Sequence, residues 1–334
     1  MDKDRPMKVS IAMTTYNGEK YIRKQLGSIL SQTRKPDEVI ICDDGSTDQT
    51  AALISGFIEE NRLSGWHFSV NTHNLGYIEN FHQAISKTTG SIVFLCDQDD
   101  IWFDNKIAEM AGRFNENAHM KVLNSGFKKI DENGEPVPVK LRFGRSNNNL
   151  ITRKLKPEEV HLFGPDYIIW RNISPGCTLA FTAEIREFFM KYHTGLCPHD
   201  WEINLFGSVL GGLYFYNHEL TGYRIHGGNT IGIANLQLAD RLSGNPSDQR
   251  IALAEQEYKR AGTYMSADWA VRLDAAQRRT LSRFYRLAKG RFEAIKVKRI
   301  GLWVRLFAHP KDYIKLRGPQ GIVNDFFAIL SKGL

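Results

Sequence analysis

The feature that most limits how this chain can fold is a set of apolar runs that each end in a polar or acidic cluster. "KVSIAMTTYN" closes on Thr14, Thr15, Tyr16 and Asn17; "DEVIICDDGSTDQT" passes through Asp43 and Asp44; "IVFLCDQDDIW" runs into Asp97, Asp99 and Asp100. The apolar runs are β-rich and apolar on both sides, so each predicts a strand covered on both faces. Between them stand helical stripes: Ile22, Leu26, Ile29 and Leu30, then Ala51, Ile54 and Ile58, then Ile78, Phe81 and Ile85. Ser46 or Thr47 is the expected N-cap of the second helix. A shorter strand, "WHFSV", precedes the third. Strands alternating with amphipathic helices predict an α/β fold with a mainly parallel sheet. In such sheets ligands sit beyond the carboxyl ends of the strands. That rule places Thr14 to Asn17, Asp43, Asp44, Asn74 and Asp97 to Asp100 along one cleft.

The densest cluster needs a compensating charge. If residues 92 to 99 stay extended, Asp97 and Asp99 point the same way. Two carboxylates about 5 Å apart then repel by about 3 kcal/mol at an effective dielectric near 20. A divalent cation removes that penalty, and oxygen ligands of this kind suit Mg²⁺ or Mn²⁺. Taken alone, an Asp-X-Asp reads more readily as a solvated turn that caps the next helix. The neighbouring clusters give it weight.

Composition narrows the remaining classes. The chain has 334 residues, 42% of them hydrophobic and 24% charged, as in an ordinary globular protein. No apolar run approaches the roughly 18 to 20 residues of a membrane span, and "MDKDRPMKVS" has no secretion signal, so the expected location is cytoplasmic. Cys42, Cys96, Cys177 and Cys197 are far apart and predict buried thiols rather than disulfides or a zinc knuckle. The net charge is +7, yet residues 282–317 hold eleven Lys or Arg against two acids, a net of +9, which leaves −2 for the rest. A basic tail on a nearly neutral body argues against a general nucleic-acid coat, and no nucleic-acid partner is expected. Regular patterning weakens between about 126 and 165. It turns helical beyond about 235, with the boundary expected near residue 232.

In their order and spacing, "TTYNGEKYIRKQLGSILSQT", "EVIICDDGSTDQT", "NLG" and "FLCDQDDIW" resemble the nucleotide-sugar-binding half of family 2 glycosyltransferases, which have the GT-A fold. The likeness spans residues 7–105 and continues more thinly to about 232. It implies a GT-A catalytic domain over 1–232, with the donor half at 7–105 and the acceptor half at 106–232, and a helical basic extension over 233–334. By the same resemblance Thr14 and Tyr16 line the nucleotide pocket, and Asp43 and Asp44 bind the base and its surroundings, Asp43 being favoured for the base N–H. Asn74 lies near the nucleotide. Asp97 and Asp99 hold the ribose and the metal, Mg²⁺ or Mn²⁺, that bridges the diphosphate.

Two later segments extend the likeness. In "PHDWEINLF", Asp200 matches the catalytic base of an inverting transfer, opposite the leaving diphosphate; the alternatives are that Asp200 only caps a helix from Trp201 to Phe206, or that Glu202 is the base. In "GYRIHGGNT", His226 matches a metal ligand and Arg224 would contact the diphosphate, with a purely structural role as the alternative for each, and the glycines would form a loop closing over the donor. Within the family, "CDQDDIW" followed by "HDW" and "YRIHGGN" resembles bacterial rhamnosyltransferases that extend cell-surface polysaccharides. That implies dTDP-L-rhamnose as donor, with UDP-glucose or UDP-galactose as rivals, and a saccharide acceptor that a lipid carrier can present. "AIKVKRIGLWVRLFAHPKDYIKLRG" mixes bases with apolar residues as a helix on an anionic membrane would, or as a helix packed on its own protein would. Two other classes fit less. A Mg²⁺-dependent nucleotidyltransferase usually brings a Gly-rich phosphate loop that is missing here, and a nucleic-acid binder leaves the cleft motifs unexplained.

Overall fold

A computed structural model describes residues 7–227 and 246–330, with backbone alone at 246–249. These residues form two bodies: 7–163 with 172–226, and 164–171 with 227 onward. The boundary expected near residue 232 lies outside the described residues.

The first body is built on a nine-stranded sheet in the order β3-β2-β1-β4-β8-β6-β9-β5, with β7 pairing to β9. The strands are β1 (Val9–Thr15), β2 (Glu38–Asp43), β3 (Trp66–Val70), β4 (Ile92–Cys96), β5 (Ile101–Trp102), β6 (Val122–Ile130), β7 (Val160–Leu162), β8 (Leu179–Thr182) and β9 (Leu213–Arg224). β1 to β4 pair in parallel, as their doubly apolar patterns predict. Beyond β4 the sheet becomes mixed, because β8 runs antiparallel between β4 and β6. β6 and β9 are parallel to each other and so run in the same direction as β1 to β4. Six carboxyl ends therefore share one edge, while β5, β7 and β8 run the other way. The pairings Thr15 with Asp43, Asp43 with Val70 and Met13 with Cys96 align the clusters that follow each strand.

Helices cover both faces. α1 (Ile22–Leu30), α2 (Thr50–Glu60) and α4 (Lys106–Glu116) press Ile22, Leu26, Ile54, Phe57, Ile107 and Met110 onto the face of Val9, Ile11, Val39, Ile92 and Phe94. α3 (Tyr77–Ser86) buries Phe81, Ala84 and Ile85 on the opposite face, where α6 (Ala183–Tyr192) and α7 (His199–Val209) also pack. α2 begins at Thr50, so neither Ser46 nor Thr47 caps it. Asp48 accepts from Thr50 N at 2.9 Å instead, and Ser46 is drawn back to Asp43.

The second body is helical, as expected: α8 (Pro246–Ser266), α9 (Ala275–Lys296), α10 (Ile300–Arg305) and α11 (Pro310–Leu330). It also takes in α5 (Pro165–Ile168) and its neighbour Trp170, which meets Phe284 edge-on at 5.5 Å. α9 opens with a capping box between Asp274 and Gln277. The basic stretch does not form one flat helix. Lys298 adopts a positive φ of 50°, the chain breaks again at His309 before Pro310, and α11 kinks at Gly318, whose φ of 68° precedes Pro319. Among the described residues no helix is long and apolar enough to cross a membrane.

Candidate active site

The carboxyl ends of β1, β2 and β4 meet through their loops. Asn17, at a left-handed φ of 49°, accepts from Thr47 N at 2.8 Å and donates its own N–H to Ser46 Oγ at 2.8 Å. Gln98 clamps the first loop to the acidic one: it accepts from Tyr16 N at 2.8 Å and donates to Tyr16 O at 2.9 Å. The clamp depends on Gly18, since a Cβ there would stand 2.3 Å from Gln98 Oε1. Tyr16 is left 46% exposed at the mouth, whereas Thr14 is buried beneath it.

Asp43 and Asp44 are both buried and both committed to loop geometry. Asp43 accepts from Ser46 N at 2.7 Å and from the hydroxyls of Ser46 and Thr15, each at 2.6 Å. Asp44 accepts from Leu75 N at 2.8 Å, Gly76 N at 2.9 Å and the Asn71 amide at 3.0 Å, just ahead of α3. Asn74, exposed, accepts from Gly76 N at 3.0 Å in the same loop. The pair thus fixes the loops that follow β2 and precede α3.

The acidic loop departs from the expected extended form. β4 ends at Cys96 and the chain turns through Asp97, Gln98 and Asp99, so the two carboxylates take different partners. Asp99 accepts from His226 Nε2 at 2.8 Å, and the His226 ring lies 4.7 Å from that of Tyr21. Asp97 turns inward, where one oxygen lies within 4.8 Å of ligand atoms of Asp100 and Cys177. Burial, then the charges of Asp100, Asp99 and Asp200, push the Asp97 carboxyl well above the usual range. Burial and Asp99 raise Asp100 to about 7. Asp100 Oδ1 accepts from Arg224 N at 2.9 Å, but its Oδ2 has no hydrogen-bond partner among the described residues.

Beneath this cluster lies Lys106, wholly buried at the start of α4, over the Trp102 ring at 3.9 Å and donating to Cys177 O and Thr221 Oγ1. Burial lowers its ammonium to about 8 against the pull of the nearby acids. Among the described residues, Lys106 is the cation that faces Asp97 and Asp100 and opposes their rise.

Asp200 stands at the first turn of α7 and is near enough for its charge to raise Asp97. Burial lifts Asp200 itself to about 6. Its Oδ2 accepts from Asn172 Nδ2 at 2.8 Å and its Oδ1 from Trp201 N at 2.9 Å. The chain packs closely here: a Cβ on Gly176 would lie 3.5 Å from Asp200 Cβ and 3.1 Å from His199 Nε2.

Glu202 does not share the cleft. Two positions along the helix it faces away, wholly buried, and accepts from His193 Nδ1 at 2.6 Å and from the Thr194 hydroxyl. Of the two roles open to Arg224, its hydrogen bonds match the structural one. Its side chain is fully enclosed and donates to the carbonyls of Asp99 at 2.6 Å, Asp131 at 2.8 Å and Glu132 at 2.9 Å. It holds the acidic loop rather than reaching for a phosphate. The loop expected to close over the donor continues past Gly227 outside the described residues.

Asp100 stood in plain sight in the motif but carried no role by spacing. Lys106 and Asn172 had no sequence signal, since both act through contacts more than seventy residues away or through a turn without periodicity.

Comparison with known proteins agrees with this geometry. Residues 10–174 match the model described as glycosyl transferase family 2. An uncharacterised glycosyltransferase of Nostoc sp. is 25% identical over 80% of this chain and 85% of its own length. The Staphylococcus aureus poly(ribitol-phosphate) β-N-acetylglucosaminyltransferase TarS is 30% identical over 39% of this chain, a match spanning 22% of TarS. The solved 1–349 fragment of TarS aligns over 97% of this chain and 89% of the fragment with a TM-score of 0.59 at 18% identity, a likeness of fold alone. A GT-A fold with carboxylates gathered at the strand ends defines a nucleotide-sugar transferase class of protein. Residues 10–174 thus carry a glycosyl transferase family 2 match, and the protein is a glycosyltransferase.

Proposed function

We propose that this enzyme is an inverting, metal-dependent transferase that moves a sugar from a nucleoside diphosphate donor to a saccharide acceptor. The observation that carries the reading is Asp200, buried and anchored on α7, standing near enough to Asp97 beyond β4 for its charge to raise that carboxyl. An in-line displacement needs a base on one side of the sugar and charge neutralisation on the other. Asp200, lifted to about 6, suits proton removal from an acceptor hydroxyl near neutral pH. Thr14, Tyr16, Asp43, Asp44 and Asn74 border the pocket proposed for the nucleotide.

The acidic loop fits a divalent cation, because it leaves Asp100 Oδ2 buried and without a hydrogen-bond partner among the described residues. Asp99, Asp97 and His226 would hold Mg²⁺ or Mn²⁺, and the ion would neutralise the departing diphosphate. Carboxylate oxygens and an imidazole suit either ion, while the Cys177 thiol suits neither.

The donor proposed first is dTDP-L-rhamnose, on the likeness of "CDQDDIW", "HDW" and "YRIHGGN". A UDP-linked sugar, whether UDP-glucose, UDP-galactose or a UDP-N-acetylhexosamine, is the second reading; the TarS fragment has been solved with UDP-GlcNAc. Hydrolysis of a panel of nucleotide sugars by the purified protein with Mn²⁺ or Mg²⁺ separates them. No turnover of any donor, or turnover untouched by a chelator, overturns the proposal.

For the acceptor we propose a saccharide presented on a lipid. The helical body exposes Val297, Ile300, Val304 and Phe307 among the bases Lys296, Lys298, Arg299 and Arg305, a mixture suited to an anionic surface. Lys298→Glu with Arg299→Glu and Arg305→Glu should abolish co-sedimentation with phosphatidylglycerol vesicles. Equal sedimentation of wild type and variant removes the surface from the reading.

A further inference from the structure

Behind Asp200 runs a line of three asparagine amides that no motif predicted. Asn124 lies in the middle of β6, paired to Phe215 of β9 and Leu179 of β8. Its Nδ2 donates to Asn204 Oδ1 at 2.7 Å, Asn204 Nδ2 donates to Asn172 Oδ1 at 2.7 Å, and Asn172 Nδ2 donates to Asp200 Oδ2 at 2.8 Å. Asn124 and Asn204 are wholly buried, and Asn204 sits one helical turn after Asp200 on α7. Asn172 is saturated: its Oδ1 also accepts from Ile173 N at 3.0 Å and its Nδ2 also donates to Ser174 O at 2.9 Å.

An amide has two faces of opposite polarity, and only the NH₂ face can hold a carboxylate. The bonds onto Asn172 Oδ1 leave its amide one orientation, and Asn204 takes its own orientation from Asn124 on the sheet. Burying the amides of Asn124 and Asn204 for packing alone would be costly, since apolar residues of similar volume fill such a space without polar groups to satisfy. We infer that Asn172, Asn204 and Asn124 are positioning residues that fix the rotamer of Asp200 and keep a hydrogen-bond donor on Oδ2, leaving Oδ1 to meet the acceptor hydroxyl. This rests on Asp200 being the base of the proposed transfer. The other ionisable groups that face Asp200 are Asp97 from the end of β4 and Tyr77 from the start of α3. Burial disfavours the ionised form of Asp200, and the Asn172 donor opposes that.

The test pairs single and double substitutions. Asn204→Leu leaves Asn124 and Asn172 each short of a partner and should lower both Tm and kcat, the latter on the order of tenfold, with donor KM unchanged and the acid limb of kcat/KM moved to higher pH. Asn124→Leu with Asn204→Leu removes the buried amides together and should recover most of the lost Tm while kcat stays low and the limb stays displaced. Recovery of kcat along with Tm would make the line purely structural and overturn the inference. Asp200→Asn serves as the control. If it transfers normally, the base assignment itself fails; if it is inactive while Asn204→Leu keeps wild-type kcat and pH profile, only the asparagine line fails.

Discussion

Two buried charge clusters, one in each body, are put together in opposite ways. In the helical body Arg291 is wholly enclosed and forks onto Asp325 at 2.7 and 3.0 Å, with Glu257 at 2.6 Å. Tyr313 donates to Asp325 Oδ2 at 2.9 Å, Trp303 donates to Tyr313 at 3.0 Å, and Arg317 meets Glu257 at 3.2 Å. At the sheet edge Asp97 and Asp100 face Lys106, Asp99 pairs with His226, and Asp100 Oδ2 has no hydrogen-bond partner among the described residues. The first cluster is closed at its centre, where the Arg291 guanidinium and the Asp325 carboxylate are answered by one another, Glu257 and Tyr313. The second is open, with a carboxylate oxygen that the described residues do not answer. Buried charge that is fully paired serves the fold, whereas buried charge left unanswered anticipates a ligand.

Breaking the open cluster should show first in chemistry. Asp99→Ala should abolish metal-dependent donor turnover, a loss of several kcal/mol of transition-state stabilisation, and calorimetric titration with Mn²⁺ should find the binding site gone. Asp200→Asn should retain donor affinity in equilibrium binding yet lose transfer by a factor of about 10² to 10⁴. Breaking the closed cluster should show first in stability. Arg291→Ala strands Asp325 in the interior at a cost of about 3 to 5 kcal/mol, read as a fall in denaturant midpoint.

The smallest effect sharpens the contrast most. Asp200 is raised from 3.8 to about 6 in the fold, so the native state binds its proton more tightly than the unfolded chain does. Its carboxyl therefore supports the fold fully below about pH 4, and that support is lost as pH rises through about 6. Asp200→Asn, which has no proton to lose, should be more stable than wild type above that window by at most about 3 kcal/mol, and the gain should vanish toward pH 4. Thermal melts across pH 4 to 8 measure it. A parallel pH shift in both proteins would mean that Asp200 is not held against its charge.

Much of the donor side was legible because it is local. A strand buried on both faces must be apolar throughout, and the polar residues that end it must lie at the sheet edge; Thr14, Asp43 and Asp97 follow from that alone. The helix stripes from Ile22, Ile54 and Phe81 follow from the period of 3.6. Asp200 came from the likeness of one short segment. The turn that separates Asp97 from Asp99 was not legible, because whether a strand continues past Cys96 depends on what pairs with it.

The sequence by itself determined where the chain is apolar and at what period, and through that the parallel strands, the covering helices and the edge where the acids collect. Only the tertiary structure decided which charges are answered. Arg224 was turned onto backbone carbonyls, Glu202 was sent behind α7, Lys106 was driven under the acidic loop, and three asparagines were lined up behind Asp200. The physical reason is one of range: strand and helix patterning is settled among residues a few positions apart, while the balance of a buried charge is settled by partners that only the folded chain brings within hydrogen-bond reach.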